Sequence, residues 1–232
     1  FEVIGGTQGV AVNESAAAGV ILDYIENEYD GVTGKITIPT VVVEPIGSAE
    51  ELAKVKDLLG SFKTSFKTSD ADRSKNVTTG AKHINGTVLY PGEVFSAYEY
   101  VNPFTEENGY AMAGSFLNGK TVDSLGGGIC QVSSTLYNAV LNAELEIVER
   151  SPHSMMVTYV QASADAAIAG TWKDLKFRNS TDAPIYIEAY TTDGKQLVFN
   201  IYGHETRPSG RTVKYVNKVL ESTPAVTELV AD

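Results

Sequence analysis

Cysteine is nearly missing from this chain, with one thiol, Cys130, among 232 residues. A single cysteine excludes an internal disulfide framework. Histidine is almost as scarce: His83, His153 and His204, beside one cysteine, are too few and too scattered for a zinc-ligand spacing, so no metal and no cofactor is expected. No apolar run approaches the roughly 18 residues of a membrane span, and any membrane attachment is expected only through an anchor outside this chain. Basic residues are outnumbered 18 to 29, a net charge of −11, which disfavours nonspecific binding to phosphate backbones. No nucleic-acid partner is expected. The chain opens on Phe1 and not on Met, which suggests one trimmed of whatever preceded it. Low cysteine usage suits a cytosolic protein and a secreted one equally, so composition leaves the compartment open.

What is present fits a globular α+β protein. The hydrophobic share of 43% and charged share of 20% allow one large or two modest domains. Residues 1–68 read as a small α/β domain. Asn13 can cap a helix running to about Tyr29 with Val20, Ile21, Tyr24 and Ile25 as its buried stripe. Lys35–Ile38 alternates as a strand ahead of Pro39. Ser48 and Glu51 form a capping box for a helix carrying Leu52, Val55, Leu58 and Leu59 and stopped by Gly60. Ser61–Thr68 alternates again, with Phe62 and Phe66 on one side. A second domain, 70–204, opens with a helix over Asp70–His83, then an apolar stretch Thr87–Tyr90, a Pro91-Gly92 turn and a strand around Val94–Tyr98. Tyr110–Leu117 reads as a strand, Asp123 as loop, Leu145–Val148 and Val157–Val160 as strands, and 162–170 as a small-residue loop. Pro184–Tyr190 and Leu197–Tyr202 flank Thr192-Asp193-Gly194-Lys195, a hairpin signal that makes the C-terminal half β-rich. Residues 205–232 read as an extended strand and linker.

The lone thiol sits in the chain's most pointed stretch, Gly126 through Asn138. Three glycines allow a tight turn, and Ile129, Val132, Leu136, Val140 and Leu141 then recur on one helical face, which puts Cys130 in a helix's first turn. Unpaired N–H groups and the positive end of the helix dipole favour a thiolate at such a position. His153 follows an apolar segment 23 residues later, and helix back to strand is a common route for bringing a base beside a nucleophile. A small buried cysteine behind a structural turn is the alternative reading.

Several separate motifs, in order, resemble the VanW domain family: Asn85–Ser96, Gly109-Tyr110, Gly126–Tyr137, Glu149-Arg150, His153-Ser154, Asp165-Ala166 and Asp174–Asn179. Residues 1–68 are similar to the peptidoglycan-binding domain that often precedes VanW domains in Gram-positive surface proteins. The resemblance implies an L,D-transpeptidase that makes 3→3 cross-links between peptidoglycan stem peptides, in a secreted or membrane-anchored protein at the cell surface with its anchor upstream of residue 1. It makes Cys130 the nucleophile and His153 the base. Backbone N–H groups of Gly127, Gly128, Ile129 and Cys130 are candidates for the oxyanion site. Gln131 and Ser133 are candidates to assist, or simply polar residues of a first turn. Asp165, Asp174, Ser154 or a backbone carbonyl could orient His153, with Asp174 also readable as a cap or as the partner of Lys176. Arg150 could hold a stem-peptide carboxylate or be a salt-bridged strand end. Trp172 could line a groove or fill the core, while His83 and His204 read as surface or core histidines. A cysteine peptidase or amidase on the same stems (an L,D-carboxypeptidase), or a noncatalytic wall-binding module, are the rival functions.

Overall fold

The computed structural model describes residues 6–32, 34–43, 45–117 and 120–221. The last part of the expected C-terminal segment, 222–232, lies outside the described residues. The chain divides into two compact units, Phe1–Lys54 and Val55–Asp232.

In the first unit, β1 (Gly9–Val12) is followed by α1 (Glu14–Asn27), β2 (Thr40–Val43) and α2 (Ala49–Leu52). The two strands pair antiparallel, Val10 opposite Val42. Asn13 caps α1 as expected, its Oδ1 accepting the Ala16 N–H at 3.1 Å. The expected buried stripe is not buried: Ala17 is, whereas Val20, Ile21 and Ile25 are exposed. A ribbon of two four-residue strands offers too little apolar surface to cover a helix face. The strand expected over 35–38 forms instead over 40–43, after Pro39, whose carbonyl accepts the Asn13 N–H at 2.9 Å. Proline has no N–H to give a ladder, so pairing begins beyond it. Both bonds of the Ser48–Glu51 capping box are made, at 3.1 and 3.2 Å, but α2 lasts one turn.

The reason α2 stops is the next strand. β3 (Asp57–Ser65) pairs along its length with the last strand among the described residues, so Leu58 and Leu59, expected on a helix, alternate in and out of a sheet. Gly60, expected to end that helix, lies mid-strand. This places 57–65 in the second unit, with the division at 54/55 where a boundary at 68/70 was expected. Then follow α3 (Ala71–Ile84), β4 (Thr87–Leu89), β5 (Val94–Ser96), α4 (Ala97–Val101), β6 (Met112–Leu117), β7 (Lys120–Leu125), α5 (Ile129–Asn142), β8 (Glu146–Arg150), β9 (Leu175–Arg178), β10 (Ile185–Thr191) and β11 (Gln196–Gly203). The short α4 was not expected; Ser96 caps it by accepting the Glu99 N–H at 3.1 Å. Asp123, expected in a loop, lies on β7, and 157–160, expected as a strand, is irregular. Described residues beyond 203 form neither strand nor helix, with a turn at Ser209-Gly210.

In the second unit an antiparallel sheet in the order β3-β11-β10-β4, a smaller one in the order β5-β9-β8 and the β6–β7 hairpin make up the β structure of the described residues. The expected hairpin is β10–β11, Tyr186 opposite Tyr202. α5 packs on β3 and β11, and α3 on β10 and α5. Their shared core includes Val77, Ile84, Val132, Leu136, Ile187, Phe199 and Ile201. The fold is α+β with a β-rich C-terminal half.

Candidate active site

The turn ahead of α5 depends on its glycines. Gly128, the residue before the helix, has φ +105°, a left-handed conformation costly for any residue with a Cβ. At Gly127 a Cβ would stand 2.2 Å from the Ala113 carbonyl oxygen, so the turn lies flat against β6. Asn76 on α3 fastens it. Its side chain donates to the carbonyls of Ala111 and Gly127, both at 2.9 Å, and accepts the Ala111 N–H at 2.7 Å. Cys130 is therefore delivered in the first turn of α5, partly exposed, its Sγ 3.6 Å from the Ile168 carbonyl oxygen.

His153 reaches the same thiol. It follows β8, its ring interacts with Cys130, and its Nδ1 lies 2.6 Å from Asp165 Oδ2. That oxygen also accepts the backbone N–H of His153 at 2.7 Å, so one carboxylate sets both the position and the tilt of the imidazole. Nδ1 facing a carboxylate leaves Nε2 as the nitrogen for the thiol. Asp165 is held in turn by Arg150, which donates to its Oδ1 at 2.9 Å and to its backbone carbonyl at 2.6 Å. The loop around it hangs on α5: Ser133 donates to the Ala166 carbonyl at 2.6 Å, Ser134 accepts the Ala166 N–H at 2.9 Å, and Asn138 donates to the Ala164 carbonyl at 2.7 Å. The helix that carries the thiol thus also carries the loop that aims its partner.

Electrostatics follow from these contacts. Burial favours the neutral imidazole, but the thiol and the Asp165 carboxylate outweigh it, so His153 is raised above its ordinary 6.5. Burial likewise pushes Asp165 up, while the His153 N–H groups and Arg150 overcome it and hold the carboxylate below its usual 3.8. The Tyr159 hydroxyl is raised by burial and then by the field of Cys130.

Among the expected residues the structure separates roles. Asp165, not Asp174, orients His153. Asp174 is 3% exposed and accepts from Ser96 Oγ at 2.6 Å, Tyr98 N at 2.9 Å and Leu175 N at 2.7 Å, tying β9 to the start of α4. Arg150, expected as a substrate clamp, is engaged by Asp165 and by the Ser163 carbonyl, and lies over Tyr137. Gln131 is 1% exposed, and its amide donates to Thr64 Oγ1 at 2.9 Å and the Ser65 carbonyl at 3.0 Å. Gln131 and Ser133 therefore brace the helix. Within the turn the N–H groups of Gly127 and Ile129 are used, by the carbonyls of Ser124 and Gly126. The N–H groups of Gly128 and Cys130 have no partner among the described residues, which makes them the donors available to an oxyanion. His83 packs edge-on to Tyr110 and His204 stands 3.9 Å from Asp182, both apart from the thiol. Among the described residues no group of three metal-ligating side chains converges.

The thiol opens into a cleft of about 980 Å³, bordered by Phe104, Val122, Met155, Tyr159, Ile168 and Trp172. Trp172 is 72% exposed and belongs to the cleft, not the core. Arg73 and Tyr159 also line it, and neither stood out in the sequence. Both come from segments far from Cys130 in the chain and are joined to it only by the packing of α3 and the 151–174 segment around α5.

Residues 72–202 match the family model described as VanW like protein. A Bacillus subtilis (strain 168) protein described as "Uncharacterized protein YoaR" is 38% identical over 165 residues, 71% of this chain and 54% of that protein. The "Vancomycin B-type resistance protein VanW" of Enterococcus faecalis (strain ATCC 700802 / V583) is 32% identical over 133 residues, 55% of this chain and 48% of the relative. No solved structure matches. The chain belongs to the VanW family, and it spans about half the length of these curated relatives. The family match begins after β3, although that strand completes the sheet and two of its residues hold Gln131.

Proposed function

We propose that this chain is a peptidoglycan L,D-transpeptidase acting outside the cell through a Cys130 thioester. The observation that carries the reading is His153, hydrogen-bonded to Asp165 and interacting with Cys130 at a helix N-terminus, in a site that opens on a cleft. Family membership, with one relative described as a vancomycin resistance protein, supports a substrate in the cell wall. In the first half-reaction Cys130 Sγ attacks the carbonyl of the third residue of a donor stem. The Sγ–C bond forms, the C–N bond to the terminal D-residue breaks, and His153 gives its proton to the departing amine. In the second, an acceptor amine attacks the thioester, its proton passes to His153, the new C–N bond forms and the thiolate leaves. Gly128 and Cys130 N–H groups are suited to the oxyanion of both tetrahedral intermediates, where one donor is worth about 3–4 kcal/mol. The raised His153 suits a group that must hold a proton near neutral pH until the leaving amine takes it. A cleft at the upper end of the usual ligand-site range of roughly 300–1,000 Å³ has room for a donor and an acceptor strand, which favours transfer over hydrolysis. The first unit is assigned a wall-binding role, as in proteins where such a domain precedes a VanW domain.

Tetrapeptide-stem muropeptides incubated with the protein should yield 3→3 dimers, and Cys130→Ala should yield none. Shortened tripeptides without dimers at high acceptor concentration would make water the acceptor and the enzyme a carboxypeptidase. No product from wild type, with binding to isolated wall retained, would make it a binding module.

A further inference from the structure

Arginine usage in this acidic chain is uneven. Arg150, Arg178, Arg207 and Arg211 each pair with a carboxylate. Arg73 is the exception: among the described residues it has no ion-pair partner, and it lines the cleft beside the thiol. Its guanidinium is held by neutral groups, Nη1 donating to Ser69 Oγ at 2.5 Å and Nη2 to Gln131 Oε1 at 2.9 Å. The nearby Asp70 carboxylate is committed to the start of α3, where Oδ1 accepts the Arg73 backbone N–H at 2.7 Å. Along α5 the side chain brackets the nucleophile. It touches Gln131 just after Cys130, and a Cβ on Gly128, two residues before it, would come within 3.0 Å of Arg73 Cγ and 3.4 Å of its Nε. A half-buried guanidinium braced by neutral partners and without an ion pair among the described residues is poised to take a carboxylate from a ligand, through the planar fork that favours such pairs.

We propose that Arg73 is the specificity residue that receives the free carboxylate of the donor's terminal residue, so that the cleft selects peptides ending one residue beyond the scissile bond. This deepens the transpeptidase reading and rests on it for the nature of the donor. The geometry of the leaving residue fits: its carboxylate carbon is three bonds of about 1.3–1.5 Å each from the scissile carbonyl carbon, so an anion held beside Cys130 places that carbonyl at the thiol. Tyr159 lines the same cleft.

Two measurements test it, the first independent of any peptide activity. Iodoacetate and iodoacetamide alkylate a thiol by the same displacement of iodide and differ in a carboxylate against an amide. The ratio of their rates at Cys130 should exceed that of free cysteine about tenfold in wild type, fall to the free-thiol value in Arg73→Gln, and stay between the two in Arg73→Lys, which keeps the charge without the fork. A wild-type ratio equal to that of free cysteine, or an unchanged ratio in Arg73→Gln, overturns the proposal. The second compares a tetrapeptide donor with its C-terminal amide. Wild type should prefer the acid by about 100-fold in kcat/KM and Arg73→Gln should treat the two alike. Turnover of both peptides by wild type with no preference defeats the Arg73 assignment and leaves the transpeptidase standing. An alkylation preference without turnover of either defeats the transpeptidase and leaves an anion site at the thiol.

Discussion

The two units carry equally clear helix signals and build unlike interiors from them. In 1–54, Asn13 and Ser48 each start a helix where their chemistry says one should start, yet Ala17 is the buried hydrophobic residue there among the described residues. From residue 55 onward, α3 and α5 are capped or turned just as locally, but they close over sheet and bury Val77, Ile84, Val132 and Leu136 completely. A cap decides where a helix begins. Whether its apolar stripe finds a partner is decided by strands from elsewhere in the chain, and the second unit has nine among the described residues.

If that contrast is right, the largest effects belong to groups that bind the second unit's elements together. Gly127→Ala sets a Cβ 2.2 Å from a backbone oxygen that cannot turn away, and Asn76→Ala removes the three hydrogen bonds that tie α3 to the turn and to Ala111. Each should cost about 3 kcal/mol in urea unfolding monitored by far-UV circular dichroism. A change under about 1 kcal/mol in either would mean the turn is not fastened as described.

A sharper contrast lies between the two candidate orienting carboxylates. Asp165→Asn should lower kcat by about 10²–10⁴, because an amide can present the wrong group to His153 Nδ1. Asp174→Asn should lower stability, by about 1–2 kcal/mol, and leave kcat near wild type, since its bonds cap α4 and β9. Equal kinetic effects would erase the distinction between positioning and scaffolding.

The pH dependence is smaller and its sign is set by the shifts. His153 binds its proton more tightly folded than unfolded, so its contribution is whole below about 6.5 and is lost as pH rises through the raised folded value. Asp165 works in the other direction: its contribution is present above about 3.8 and is lost as pH falls through its lowered value. Urea midpoints between pH 6 and 9 should therefore fall more steeply in wild type than in His153→Ala. Parallel curves would contradict the coupling. Smallest of all, Ile25→Ser, at a side chain 56% exposed in the first unit, should change stability by less than about 0.5 kcal/mol.

How far the sequence reached follows the same division. The start of α5, the thiol in its first turn and the histidine beyond the next strand were legible because glycine chemistry and helical period are local signals. The β10–β11 hairpin was legible from its turn. β3 was misread as the end of a helix because Leu52, Val55, Leu58 and Leu59 have helical spacing, and only pairing with β11 shows them to be strand. Asp165 and Asp174 look alike in sequence. What separates them is that Ser133, Ser134 and Asn138 draw the 164–166 loop onto α5 while Ser96 draws Asp174 toward α4. Arg73 could not be found by spacing at all, since what marks it is the ion pair it does not make.

The central claim, that Cys130 with His153 and Asp165 forms an acyl-transfer site, is tested most directly by intact-protein mass spectrometry after mixing with a tetrapeptide donor and no acceptor. The account predicts an adduct with the mass of the acyl tripeptide, mapped to Cys130, released by hydroxylamine and reduced in Asp165→Asn. A protein whose mass stays unchanged at saturating donor, with Cys130 shown to be free to alkylation, would contradict it.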